Sequence, residues 1–203
     1  MVGKVSRKVT DRLLSRNAIK DEDYEIYQYG LEQLFTSILN MLTLFVIGSI
    51  MGMIWQGIIF VLSFMLLRKY AGGYHASTPL GCYLLTTLII TVALSVMKYL
   101  EISILIYLVL LMVSSVIVYM LTPVEAVNKE LDKIEKIIYR KKTILTWIVE
   151  VSLAIGVFIL KHYEISICIF MAIIMVGISL VTGHIEIKLV KRKILIGNNG
   201  GKN

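Results

Sequence analysis

Apolar residues run along this chain in six long blocks, separated by short polar stretches. The blocks lie near residues 31–50, 53–68, 80–97, 102–121, 144–160 and 165–182. A helix needs about 20 mostly apolar residues to cross a bilayer, and these blocks meet or approach that length. The second, from about Met53 to Leu67, is short. It either crosses in a tilted or thinned arrangement or is re-entrant, so six crossings compete with four plus re-entrant segments. The pattern predicts an all-α integral membrane protein with about six transmembrane helices.

The polar stretches carry structure of their own. Val5, Val9, Leu13 and Leu14 recur at helical spacing among basic residues, which fits an amphipathic N-terminal helix on the inner membrane surface or an irregular basic lead-in. After the fourth block, Thr122-Pro123-Val124-Glu125 has the form of a capped helix start, with Thr122 as cap, Pro123 at the first helical position and Glu125 closing a capping box. Leu131, Ile134 and Ile138 then share one face, and the pairs Glu125/Lys129 and Asp132/Lys136 are spaced to meet across a turn. This predicts a surface helix running into the fifth crossing. The tail GNNGGKN offers nothing to pack and is expected to be disordered. The resulting division is a cytoplasmic segment at 1–29, a polytopic membrane domain at 30–190 and a flexible cytoplasmic tail at 191–203.

Charge sets the orientation. With the N-terminal side inside, all basic residues except Lys98 and Lys161 fall inside. Lys4 to Lys20 precede the first block, Arg68 and Lys69 follow the second, Lys129 to Lys142 precede the fifth, and Lys188 to Lys202 follow the sixth. The positive-inside rule therefore supports six crossings with both termini in the cytoplasm. The composition agrees: mean hydropathy is +0.79, and charged residues are 17%, against roughly a quarter in soluble domains. The net charge of +7 fits an anionic leaflet better than nucleic acid. The basic start has no compact apolar core behind it, so no cleavable signal peptide is expected. Cys82 and Cys168 are far apart and read as free thiols rather than a disulfide scaffold.

Residues 68–85, RKYAGGYHASTPLGCYLL, hold the candidate chemistry. His75 and Cys82 are seven residues apart, which in one continuous helix would separate them by about 10 Å along the axis. Proton transfer needs about 3 Å or one bridging water. The sequence breaks the helix: Gly72-Gly73 permits a tight turn, and Thr78-Pro79 is a cap followed by a first-turn proline. That would place Cys82 in the first turn of the third crossing, with His75 in the turn before it. A helix N-terminus and a nearby imidazolium favour a thiolate. Gly81 is expected to leave the backbone open to substrate, and the amides there to bind an oxyanion. On spacing alone, ordinary loop and helix roles for both residues stay open. His75, Cys82, His162 and His184 do not form a compact metal-ligand set, and no cofactor motif is present.

The pattern Arg-Lys-Tyr-Ala-Gly-Gly-Tyr-His-Ala, with Cys82 seven residues after His75, resembles the accessory gene regulator B family. These are bacterial membrane endopeptidases of peptide quorum sensing. The resemblance implies catalytic roles for His75 and Cys82, and roles in activity or local structure for Arg68 and Gly73. It implies cleavage of a small precursor peptide at the cytoplasmic face of the bacterial cell membrane. His75 would deprotonate Cys82, a thioester acyl-enzyme would form, and an internal cysteine or serine of the precursor would close a thiolactone or lactone. It also implies a homodimer and no cofactor.

No Asp or Asn stands beside His75 to orient it. Glu150 interrupts the fifth apolar block and is the candidate, its alternative being a hydrogen bond within the helix bundle. Glu32, Gln33, Asn40 and Gln56 read as helix contacts or interfacial groups. Arg68 suits either a phosphate headgroup or an acidic precursor segment. Two other functions stay open: a small peptide or ion transporter dependent on Glu150, Asn40 or Gln56, and a non-enzymatic membrane scaffold that tolerates loss of His75 and Cys82.

Overall fold

A computed structural model describes residues 2–74, 76, 78–125 and 131–200, the side chains of 191 and 193–200 excepted. Seven helices make up nearly all of it: α1 Val2–Ser15, α2 Tyr24–Met51, α3 Ile54–Ala71, α4 Pro79–Tyr99, α5 Ile104–Leu121, α6 Lys133–Ile159 and α7 Tyr163–Gly200. Among the described residues, six of these (α2 to α7) are long and apolar enough to cross a membrane. The short second block becomes α3, an 18-residue helix. At 1.5 Å per residue it is about 27 Å long, close to the hydrocarbon thickness. The expected tail at 191–203 falls partly on α7 and partly outside the described residues.

The helices form two compact units, one of Met1–Ile54 with Ala76–Val92, the other of Trp55–His75 with Ala93–Asn203. In the first, α1 doubles back on α2. Its contact face is small and polar rather than the apolar stripe: Ser6 and Thr10 are fully buried, while Val5 is exposed. Ser6 Oγ donates to Glu32 Oε1 at 3.3 Å, and a Cβ on Gly3 would lie 3.1 Å from the same oxygen. The α2–α3 turn is made by Gly52 at φ +67°, with Met53 N–H donating to Gly48 O at 2.8 Å, the left-handed cap that glycine favours. Thr43 and Tyr83 join α2 to α4 through a 2.8 Å hydroxyl pair.

The second unit is organised around α7. Two thirds (67%) of its spanning window is buried, against 17–33% for the other crossings. Lipid tails give helices no hydrophobic reason to associate, so close packing and small residues must do so. Gly177 lets α7 approach α5, since a Cβ there would lie 3.0 Å from Ser114 Cβ. Ser166 Oγ donates to the Ala154 carbonyl of α6 at 2.9 Å, and Trp147 Nε1 of α6 to Ser115 Oγ of α5 at 3.2 Å. The far face of α5 stays apolar and open, with Leu105, Met112, Val116 and Met120 all more than half exposed, as a lipid-facing surface should be.

The expected helix start at Thr122 is not where α6 begins. Pro123 and Val124 are non-helical, and Val124 N–H instead bonds Ala71 O at 2.9 Å. The cap sits ten residues later: Asp132 N–H donates to Glu135 Oε2 at 3.1 Å, and α6 runs from Lys133 into its crossing without a break. Glu125 serves this start from outside, accepting from Leu131 N–H at 3.3 Å and pairing with Lys136 at 2.6 Å. Lys129, its expected partner, lies outside the described residues.

The α5–α7 approach gives a stability test. Gly177→Val should destabilise by about 1–3 kcal/mol through overpacking, whereas Gly156→Val, with nothing within 4 Å of its added Cβ, should leave the unfolding midpoint in detergent unchanged.

Candidate active site

The chain after α3, from Gly72 to Tyr74, is irregular backbone, and its polar groups are met from several directions. α3 ends at Ala71 because Gly72 and Gly73 take positive φ, 77° and 115°, which side chains rarely adopt. Space demands glycine as well. A Cβ on Gly72 would collide with the Val124 carbonyl, and one on Gly73 would lie 2.7 Å from Ser179 Oγ. Gly72 pairs with Val124 as an isolated parallel bridge. Tyr74 N–H donates to Ser179 O at 3.0 Å, and Tyr74 O accepts from Arg68 Nη2. The Arg68 guanidinium also lies over the Phe64 ring, 5.3 Å from its centroid.

Arg68 thus acts within the fold, holding the carbonyl of the residue before His75. Gly183 completes the seat: a Cβ there would lie 2.6 Å from Tyr74 N and 2.7 Å from Gly73 C. Ser179, Gly183 and Val124 were not singled out from sequence, although Ser179-x-x-x-Gly183 is the small-residue spacing that lets another backbone approach a membrane helix. His75 and Ser77 lie outside the described residues.

Cys82 belongs to the first unit and stands where the capping signal places it. Thr78 Oγ1 accepts from Gly81 N–H at 3.1 Å, Pro79 opens α4, and Cys82 N–H donates to Thr78 O at 2.9 Å. The thiol is free and half-buried, whereas Cys168 on α7 is free and buried. Two details differ from expectation. The Gly81 and Cys82 amides are both bonded to Thr78, because the cap uses the donors an oxyanion would need. The space beside Gly81 is bordered by Ala76 and Thr78, each 3.0 Å from a built Cβ, because the capping turn folds back over it.

Glu150 lies on the buried face of α6 with Thr143 and Ala154. Neither carboxylate oxygen has a hydrogen-bond partner among the described residues. Gln56 Nε2 reaches Glu164 Oε2 at 3.4 Å, and Asn40 Oδ1 is buried without a partner among the described residues. His162 sits at the start of α7, lining a cavity of about 300 Å³ with Trp55, Lys161 and Tyr163. That is about 26 Å from Ser179 along the α7 axis at 1.5 Å per residue. Among the described residues, no three His, Cys, Asp or Glu side chains converge on a metal position.

The family model for accessory gene regulator B matches residues 6–180, a stretch that contains both halves of this arrangement. The chain belongs to that family. It is 28% identical over 144 residues to an AgrB-like protein of Clostridium perfringens SM101, covering 67% of this chain and 66% of that one. An AgrB-like protein of Listeria monocytogenes EGD-e is 30% identical over 91 residues, 44% of this chain and 45% of the relative. A second C. perfringens protein, from strain 13, is 27% identical over 89 residues, 44% and 42%. The chain thus spans less than two thirds of the length of the curated relatives it matches. No solved structure matches it. Membership, with the six apolar helices, makes this a membrane protein with a role in the accessory gene regulator quorum-sensing system.

Removing the cap should be felt locally. Thr78→Ala is expected to cost about 1 kcal/mol, whereas Thr78→Ser, which keeps the capping hydroxyl, should cost nothing measurable. Thermal unfolding of the detergent-solubilised protein checks both, and equal midpoints for Thr78→Ala and wild type would sink the capping role.

Proposed function

We propose that this protein is a membrane cysteine endopeptidase that cleaves a small autoinducer precursor and promotes closure of its thiolactone or lactone. The observation that supports this best is the motif of residues 68–76, its Tyr74 peptide held at both ends, followed by a free, half-buried thiol in a capped first helical turn. Catalysis is assigned to residues 30–190, flanked by cytoplasmic segments 1–29 and 191–203, with the active site at the cytoplasmic face and the protein acting as a homodimer.

In this proposal His75 takes the proton of the Cys82 thiol. The thiolate attacks the scissile carbonyl carbon, the C–N bond breaks, and the proton passes from His75 to the leaving amine. The thioester left on Cys82 is then attacked by an internal thiol of the precursor, which releases the ring and restores the Cys82 thiol. One thioester replaces another, so the exchange is nearly balanced. Exclusion of water and tethering of the attacking thiol favour the ring over hydrolysis. Arg68 and Gly73 support the geometry, and Glu150, buried without a partner among the described residues, is assigned a supporting role.

Mass spectrometry of a short precursor peptide, with an amphipathic start and an acidic end, incubated with the protein in vesicles tests the mechanism. Wild type should cleave it and carry a peptide adduct on Cys82, while Cys82→Ala and His75→Ala, folded alike, should show at least a thousand-fold less product. Equal cleavage by Cys82→Ala would remove the cysteine mechanism. The buried Glu150 carboxylate, without a hydrogen-bond partner among the described residues, supports transport as a second reading, and peptide uptake abolished by Glu150→Gln but not by Cys82→Ala would select that function.

Orientation has its own test. In intact cells, a membrane-impermeant maleimide should label Lys161→Cys but not Lys8→Cys, each in a Cys82→Ala background. The reverse pattern would put the proposed active-site face outside.

A further inference from the structure

We propose that Ser179 and Gly183 of α7 are positioning residues for the catalytic histidine arm, so that the last crossing sets the rate of the Cys82 step without touching substrate. This rests on the endopeptidase proposal for its catalytic part, but the holding of the arm stands on geometry alone. Tyr74 is the residue immediately before His75. Its N–H is taken by Ser179 O at 3.0 Å and its carbonyl by Arg68, so the peptide group before Tyr74 is held from α7 and the one after it from α3. A residue's Cα lies 3.8 Å from that of its neighbour. We take this hold on Tyr74 as the device by which α7 acts on the residue that follows it in sequence.

The α7 half of this grip depends on two small residues one turn apart. Gly183 has no Cβ, and one would lie 2.6 Å from Tyr74 N, 2.7 Å from Gly73 C and 3.0 Å from Gly73 Cα. All three are backbone atoms, which cannot swing away as a side-chain tip would, so a methyl group here must move the arm or the helix. Ser179 meets Gly73 from the same face: its Oγ would lie 2.7 Å, and its carbonyl oxygen 3.0 Å, from a Cβ on Gly73. Ser179 is 6% exposed, and its hydroxyl has no partner among the described residues. Its place on α7 is thus explained by size and by its carbonyl. A general base works only within hydrogen-bond reach of the proton it takes, and a shift of about 1 Å in a catalytic group can cost a hundred-fold.

The test uses the full chain in lipid nanodiscs and two readouts. The first is the rate at which iodoacetamide alkylates Cys82, followed by peptide mapping; Cys168 is buried and serves as the internal check on folding. The second is hydrogen exchange of the peptide covering residues 70–76. Wild type and the lipid-facing control Ile178→Ala should alkylate at the same rate, at least ten-fold faster than His75→Ala. Gly183→Ala should fall to within about two-fold of His75→Ala, and its 70–76 peptide should exchange at least ten-fold faster. Ser179→Val, which crowds Gly73 from the same helix face, should do the same and stands in if Gly183→Ala does not fold. Wild-type alkylation and exchange in both variants would overturn the proposal. If wild type reacts no faster than His75→Ala, the dyad itself is wrong. Exchange then decides alone whether α7 holds the arm, with unchanged exchange in the variants overturning that as well.

Discussion

Non-helical backbone between two apolar helices has to find partners for its amides and carbonyls, because hydrocarbon offers none. Ala71 to Tyr74 meets that requirement from three parts of the chain. Ala71 O takes Val124 N–H, Tyr74 N–H takes Ser179 O, and Tyr74 O takes the Arg68 guanidinium. Ala71 to Tyr74, which could have been a free hinge, is held as a strut within its own unit. The glycines follow from the crowding: Gly72 lies against Val124, and Gly73 and Gly183 let the strut and α7 come into backbone contact. The residues that matter for the site are therefore mostly those that allow close approach, not those that carry reactive groups.

The same logic extends to the helices. α7 is the buried axis of its unit, and its small residues face different neighbours: Ser166 faces α6, Gly177 faces α5, and Ser179 and Gly183 face the strut. One helix thus ties its unit together and supports the described part of the motif. α1 seats on α2 by comparable means, through Gly3, Ser6 and Thr10 rather than its valines. In that arrangement Val5 stays exposed and Val9, Leu13 and Leu14 are only partly buried.

Several features were legible from residue order because their causes are local. Thr78-Pro79 encodes a cap and a first turn, so the placement of Cys82 at the start of α4 follows from a few neighbouring residues. Gly72-Gly73 encodes a turn for the same reason. The helix start expected at Thr122 gives way to one at Asp132 because of a distant event, the pairing of Val124 with Ala71 and Gly72. The role of Arg68 was open between two anions because sequence shows a guanidinium's charge but not the carbonyl of Tyr74 that it meets. The amides of Gly81 and Cys82 looked available until the cap was seen to use them.

The sequence by itself determined that the chain crosses the membrane, with helices over its six apolar blocks, and where the candidate thiol would sit. Hydropathy, capping and glycine turns act over one helix or less, so their signals are written in adjacent residues. Only the tertiary structure decided that α7 is the buried axis, that α6 waits for Asp132, and that Arg68, Ser179 and Gly183 hold the backbone before His75. Those outcomes depend on which backbones come within about 3 Å of one another. Residues more than a hundred positions apart meet there, and no local pattern records the meeting.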